Sequence, residues 1–350
     1  MQEATDDIVF TCPPLPYEFD EVRYRTQGMG GSETALLEIA RLLSQAKTKR
    51  NVKVFRYGRT CIGDSGVEYF DIQGNITDYF LTRKRRVHIA WRHNYGLTYA
   101  KTFPWAHEIR VDGIDSKRNF DFVLCLSNFH KNFIHRHQWI PSRKIIVTRN
   151  GIDPDKLHFD KSSKNPNKIV WMCSPDRGLK SALLVLDILV KSFPKLELHV
   201  YYGVYLLYMN GHEREADELK GMIASRPYVN YHGSVEQSQM YREAADAVVW
   251  LYPCNILETF CITALEMLAL GVFPVTRKYG ALAETLREAE QEGGAILLEH
   301  SRITDNDIEG YASGVSAVLR GRLWAKVSLD LQKHSWSSVA DEWIEFMNLS

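Results

Sequence analysis

Hydrophobic and polar positions along this chain alternate between two periods. Short, almost continuous apolar runs at residues 7–12 (DIVFTC), 51–57 (NVKVFRY), 86–91 (RVHIAW) and 120–127 (FDFVLCLS) have the length of strands buried on both faces. Among them, residues 32–46 (SETALLEIARLLSQA) place Ala35, Leu36, Ile39, Leu42 and Leu43 on one face of a helix. Residues 144–153 (KIIVTRNGID) read as a strand running into a turn, and the polar, Pro- and Lys-rich stretch 153–168 as an interdomain linker. The alternation then restarts. KIVWMCS, LELHVYYG, VNYHGS and AVVWLYP predict strands, and LKSALLVLDILVKSF, EREADELKGMIAS and SQMYREAAD predict helices. A loop, a helix from about Thr259 to Leu270 and the strand VFPV follow. Strands alternating with helices in two blocks predict two parallel-sheet α/β domains rather than one barrel.

Size agrees, since 350 residues exceed what one hydrophobic core usually organises. A hydrophobic content of 45% and a charged content of 25% exclude the disordered and fibrous classes. No uncharged apolar run reaches the roughly 18 to 20 residues of a membrane span. The start, MQEATDDIVFTCPP, is acidic and lacks a basic region followed by an apolar one. The expected location is cytoplasmic, or host cytoplasm for a viral chain. Cys12, Cys61, Cys125, Cys173, Cys254 and Cys261 form no CxxC pair, and they read as buried reduced thiols rather than a zinc site or a disulfide framework. Net charge is zero, but residues 1–150 carry 23 Lys and Arg against 16 Asp and Glu. That surplus of +7 is balanced in the remainder and hints at a polyanionic partner for the first half.

Ligands of doubly wound sheets sit at the carboxyl ends of strands, where loops enter helices. Three loops suit that place. GMGGSE, residues 28–33, puts glycines before a helix, which favours close approach of a phosphate, but a lone Gly-rich loop is a weak signal and a plain turn capped by Ser32 is the alternative. It fits neither GxGxxG nor the P-loop pattern. CSPDRGLKS, residues 173–181, sets Arg177 and Lys180 at a helix entry, where the dipole disfavours cations unless an anion is bound. A charge pair with Asp176 is the alternative. ETFCITALE, residues 258–266, holds Glu258 near a helix N-terminus and Glu266 mid-helix among apolar neighbours. A buried carboxylate needs donors, and a polyol ligand can supply two hydroxyls to each acid. A cap for Glu258 and a solvated strip for Glu266 stay open.

In order along the chain, MGGSE, TRNGID, PDRGLKS, the stretch YHGSVEQSQMYREAADAVVWLYP and the E-x7-E spacing of Glu258 and Glu266 with its following ALG turn resemble the GT-B glycosyltransferases of family 4. HSWSSVADEWIEFM is similar to the family's terminal helix. The resemblance covers nearly the whole chain. It implies two Rossmann-like doubly wound domains facing a central cleft, residues 1–152 for the acceptor and 153–334 for the nucleotide sugar, with residues 335–350 returning to the first domain. It also implies transfer of a sugar from a nucleotide-diphosphate sugar, most simply a UDP-sugar, to an acceptor hydroxyl with retention of configuration and without a metal or other cofactor. In these roles Glu266 holds ribose hydroxyls, Glu258 the transferred sugar, and the backbone of Thr259, Phe260, Cys261 and Ile262 lies near sugar and phosphate. Arg177 and Lys180 neutralise the diphosphate, Gly30 and Gly31 let backbone approach it, and His93 faces the donor sugar, with His88 as its competitor. One departure is the absence of an arginine near Cys173 or Ser174. No carboxylate stands out as a nucleophile for double displacement, so same-side attack assisted by the leaving phosphate is the expectation. A phosphorylase, an epimerase and a non-catalytic sugar-binding protein are the other classes considered.

The acceptor is left open by the resemblance. TRKRR (residues 82–86, with Arg85 and Arg86), Arg92, and HKNFIHRHQWIPSRK with Phe129 just before it and Phe133 and Trp139 within it form a basic, aromatic set. It reads as a solvated face, as contact with an anionic lipid surface or with the acidic second half, or as the site of a polyanionic acceptor. A glycan and hydroxymethylated DNA are the acceptors considered.

Overall fold

A computed structural model describes residues 7–15, 17–26, 29–47, 50–74, 87–93, 101–111, 120–209, 211–299 and 305–347. The chain forms two compact units, Met1–Gly151 with Gln332–Ser350, and Ile152–Leu331.

The first unit is built on β1 (Ile8–Thr11), β2 (Val52–Arg56), β3 (Cys61–Ile62), β4 (Glu68–Asp71), β5 (Val87–Trp91), β6 (Lys101–Trp105), β7 (Val123–Cys125) and β8 (Ile145–Val147). Their order is β3-β4-β2-β1-β5-β6-β7-β8, parallel except for the antiparallel pair β3 and β4. β1, β2 and β5 are buried along their whole lengths, which is why their sequence reads as apolar runs instead of alternating. β6 was not anticipated. It lies between β5 and β7 and carries Pro104 opposite Ala90, a residue that cannot donate to a ladder and so hides a central strand from sequence reading. The helix Asn128–His137 was also missed, because only His130 and Ile134 of its ten residues are buried and the rest reads as a basic surface segment. The Ser127 side chain caps it, accepting from the N–H of His130 at 3.1 Å.

The second unit holds β9 (Lys168–Trp171), β10 (Glu197–Tyr201), β11 (Val229–Gly233), β12 (Val249–Leu251), β13 (Phe273–Arg277) and β14 (Ile296–Leu298) in the all-parallel order β11-β10-β9-β12-β13-β14. β14 and the helix Asp305–Gly321 extend the expected pattern. The stretch read as a linker is packed on this unit. Lys164 donates to the carbonyls of Ala245 (2.7 Å) and Leu270 (2.8 Å), which end the helices Gln237–Ala244 and Ile262–Ala269. A cation there meets the negative ends of two helix dipoles, which accounts for its position. Burial lowers the Lys164 pKa to about 8.

The helix Trp336–Phe346 belongs to the first unit. Trp343 is fully buried with its ring edge-on to Trp105 at 4.6 Å, and Arg149 donates to Glu342 (2.7 Å) and Ser338 (2.9 Å). Removing such a ring costs about 3–5 kcal/mol. The NG turn serves this packing, because a Cβ on Gly151 would lie 2.7 Å from the backbone nitrogen of Trp336. None of the six cysteines forms a disulfide, and Cys61 and Cys261 are half-buried rather than buried. Among the described residues no helix is long and apolar enough to cross a membrane.

Candidate functional site

Each sheet reverses its strand order once. In the first unit the chain runs from β1 to β2 on one side and to β5 on the other, so the reversal lies between β1 and β5. In the second unit it lies between β9 and β12. Loops leaving the carboxyl ends of those strand pairs diverge and leave a crevice, the general ligand position of open α/β sheets.

In the second unit the two loops at the reversal carry Arg177, after β9, and Glu258, after β12. Arg177 Nη1 donates to Glu258 Oε1 at 3.2 Å, and the hydroxyl of Tyr252 donates to the same oxygen at 2.6 Å. Glu258 is buried and Arg177 half-exposed. Burial works against the Arg177 charge, but the Glu258 carboxylate more than offsets it and holds the guanidinium protonated. Tyr252 is fixed between the stacked ring of Trp250 (4.9 Å) and the edge of Trp171 (5.5 Å). Two glycines make the geometry possible. Gly178, at φ +115°, would bring a Cβ within 2.1 Å of the Pro253 carbonyl oxygen, so only glycine lets the Arg177 loop lie against the end of β12. Gly280, at φ +64°, bridges to Glu258 in parallel fashion, and a Cβ there would meet the Glu258 carbonyl oxygen at 2.4 Å.

This corrects the expectation for Glu258. The helix starts at Ile262, not near Thr259, and Cys261 at φ +75° precedes it. Glu258 therefore sits before the helix in a short β-bridge and is held by Arg177 and Tyr252, not by the dipole. Thr259 is half-buried and Phe260 buried, with the Phe260 carbonyl accepting from Thr285 at 2.6 Å, while Ile262 opens the helix half-buried. Glu266 is buried in that helix, and its Oε1 accepts from the hydroxyl of Tyr241. Desolvation raises its pKa from the ordinary 4.5 to about 7, with Tyr241 and the charge of Lys156 pulling the other way. Oε2 of Glu258 and Oε2 of Glu266 take no hydrogen bond from any described residue.

Lys180 is not brought to this cluster. It pairs instead with Glu218 at 2.5 Å. The alternative pairing of Arg177 with Asp176 does not form either, and the Asp176 carbonyl instead accepts from Asn255. A cavity of about 610 Å³ beside this loop is lined by Asp176, Lys180, His212, Arg214, Glu218 and Asn255, among others. Sequence reading also missed Tyr252 and Tyr241. For Tyr252 the signal was only a polar tip at the end of the apolar run AVVWLYP, and Tyr241 lies in the polar stretch SQMYREAAD with no signal of its own. Arg277 was missed as well: it is buried at the end of β13, with Nε and Nη1 lacking hydrogen-bond partners among the described residues.

The first unit has a comparable cluster at its own reversal. Glu33 Oε1 accepts from Tyr17 at 2.9 Å and lies 3.6 Å from Arg92 Nη1, while Oε2 accepts from Ser32 at 2.8 Å. Gly30 is where a Cβ would crowd Glu33 Oε2 at 2.5 Å, and Gly31 is the first residue of the helix Gly31–Gln45. Arg92, at φ +63°, also pairs with Glu108 at 2.5 Å, so its charge is already matched by two carboxylates, which weakens its reading as a phosphate contact. His93 follows it, half-buried at the carboxyl end of β5. His88 is structural: fully buried within β5, it sits between Thr11 (2.8 Å) and Thr102 (3.4 Å), and burial lowers its pKa to about 3. Arg85 and Arg86 lie outside the described residues. Among the described residues no group of three His, Cys, Asp or Glu side chains is placed to hold a metal ion.

Residues 166–322 match the family model Glycosyl transferases group 1. That span contains Arg177, Tyr241, Tyr252, Glu258 and Glu266, so the matched region and the Arg–Glu cluster coincide. No curated protein matches the chain. Solved structures do over almost its full length: sucrose-phosphate synthase from Thermosynechococcus elongatus (13% identity, 98% of each chain, TM-score 0.73), Anabaena HepE in complex with UDP-glucose (14%, 98% of this chain and 99% of that one, 0.69), and WaaG, a glycosyltransferase involved in lipopolysaccharide biosynthesis (13%, 97% and 99%, 0.68). At such identities the likeness establishes the fold, the two-unit α/β architecture that the resemblance to GT-B enzymes implied.

Proposed function

We infer that the chain is a retaining glycosyltransferase that moves a sugar from a nucleotide-diphosphate sugar to an acceptor hydroxyl. The observation that carries this reading is the Arg177–Glu258 pair at the strand-order reversal of the matched domain, followed along the chain by a second buried acid, Glu266, with one oxygen of each acid taking no hydrogen bond from a described residue. Two acids with open oxygens suit a ligand rich in hydroxyls, ribose at Glu266 and the transferred sugar at Glu258. Arg177 supplies a cation for the diphosphate, whose charge grows as the glycosidic bond breaks. The bond from the anomeric carbon to phosphate breaks as the bond to the acceptor oxygen forms on the same face, and the leaving phosphate takes the acceptor proton. The UDP and UDP-glucose complexes of HepE make a UDP-sugar the first donor to try.

A donor panel assayed with and without chelator tests this. Transfer that persists in EDTA, with the donor's anomeric configuration kept in the product by NMR, is the expected result. An inverted product, or activity lost to EDTA and restored by a divalent ion, overturns the retaining or the metal-independent part.

One observation favours a polyanionic acceptor as a second reading. Trp139, at φ +57°, is 80% exposed just past the basic helix Asn128–His137, where a ring can stack on an exposed base. Activity on hydroxymethylated DNA would then fall steeply between about 50 and 200 mM salt. Transfer to a neutral oligosaccharide without salt dependence, and none to such DNA, excludes it.

A further inference from the structure

The two acids of the second unit are supported unequally. Glu258 has both a cation and a phenol on Oε1, whereas Glu266 has a phenol alone, with Lys156 acting only at longer range. Tyr241 is itself buried, on the helix Gln237–Ala244, and its hydroxyl reaches across to the helix Ile262–Ala269 to meet the carboxylate. A Glu side chain in an otherwise apolar helix has several rotamers and two equivalent oxygens. Tying one oxygen to a rigid ring fixes one orientation of the carboxylate and leaves Oε2 unengaged by any described residue.

We propose that Tyr241 is the positioning residue for Glu266: its hydroxyl holds Oε1 and keeps Oε2 as the acceptor for a ligand hydroxyl. The inference rests on the donor-binding reading above and names the residue that makes that acid competent. It also assigns Tyr241 an effect on the charge state of Glu266, since a donor to the carboxylate favours the ionised form against desolvation. The groups that bear on this titration are Tyr241, from the helix Gln237–Ala244, and Lys156, from the segment Pro154–Leu157, both of which favour the charged form.

The test uses the full chain and UDP as the probe, with affinity measured by calorimetry from about pH 5.5 to 9, a window centred on a raised carboxyl pKa. Wild type should bind more tightly as pH rises through the Glu266 midpoint. Tyr241→Phe keeps the ring and removes the hydroxyl. Its midpoint should rise by about one unit or more, with affinity at neutral pH falling about tenfold. Donor KM should rise while kcat at saturating donor stays put, a split that a general loosening of the fold would not produce. Incorporating 3-fluorotyrosine, a more acidic phenol, keeps the packing and should lower the midpoint, and Tyr241→Phe added to Glu266→Gln should shift nothing further. A Tyr241→Phe protein with wild-type midpoint and affinity, while Glu266→Ala is weakened, overturns the positioning role and leaves the functional reading standing. If Tyr241→Phe does not fold, an unmoved midpoint in the fluorotyrosine protein overturns it equally. Wild type that binds no UDP and turns over no nucleotide sugar overturns both.

Discussion

The strand-order reversals of the two sheets carry the same three residue types in different states of use. At the first, Tyr17 and Arg92 converge on Glu33 Oε1, and Ser32 takes Oε2. At the second, Tyr252 and Arg177 converge on Glu258 Oε1 and no described residue takes Oε2. Glu33 is thus spent on its own loop, while Glu258 keeps capacity for a ligand. The cations differ likewise: Arg92 is shared between Glu33 and Glu108, whereas among the described residues Arg177 pairs with Glu258 alone. An acid, an arginine and a tyrosine at a switch point are therefore not enough to name a site. What decides is how many of their hydrogen-bonding positions the protein itself consumes.

The largest effect is expected at the second cluster. Arg177→Ala should lower kcat by about 10²- to 10³-fold, with a smaller change in donor KM, because the charge it opposes grows in the transition state. Steady-state kinetics read this, and an equal kcat loss in Arg92→Ala at unchanged stability would break the contrast. Glu33→Ala removes an acceptor from Tyr17 and Ser32 and one of the two carboxylates facing Arg92, and should cost about 2–3 kcal/mol of folding stability in denaturant unfolding. Glu266→Ala strips only Tyr241 of an acceptor, so it should cost the fold less than Glu33→Ala while weakening nucleotide-sugar binding by about 1.5–3 kcal/mol, and unchanged donor affinity would remove its ribose role.

Smaller effects sharpen the picture. Gly280→Ala forces a left-handed conformation on alanine, worth about 1–2 kcal/mol, and drives its Cβ into the Glu258 backbone. Gly66→Ala, with φ +87° and open space around it, should cost only the conformational part, so unfolding curves of the two separate strain from collision. The smallest effect is a pH slope. The folded-state pKa of Glu266 is about 7, above its ordinary 4.5, so the folded state holds the proton more tightly. Its contribution to stability is complete below pH 4.5 and is lost as pH rises to about 7. Glu266→Gln should flatten the stability profile over that window. Donor affinity in the wild type should run the opposite way, rising with ionisation.

Local patterning made much of the chain legible. Buried parallel strands such as β1, β2 and β5 expose neither face, so their composition alone announces them, and the helix Gly31–Gln45 shows its buried stripe at 3.6-residue spacing. The order of Gly30, Gly31, Arg177, Glu258 and Glu266 along the chain was likewise readable, because spacing within a loop or helix is a property of the chain itself. β6 was concealed by Pro104 and the helix Asn128–His137 by its polar surface, since in both the tertiary surroundings override local preference.

Partnership was decided only in three dimensions. Whether Arg177 faces Asp176 or Glu258, whether Lys180 joins it or turns to Glu218, and whether Glu258 caps a helix depend on residues between 38 and 81 positions apart meeting through the packing of separate loops. The same holds for the phenols: Tyr241 and Glu266 are 25 positions apart, and no periodicity relates them. A sequence determines which groups are available and which local conformation each segment prefers. Which hydrogen-bonding positions remain for a ligand is a difference between what the groups offer and what the folded protein consumes, and that difference exists only once the long-range contacts have formed.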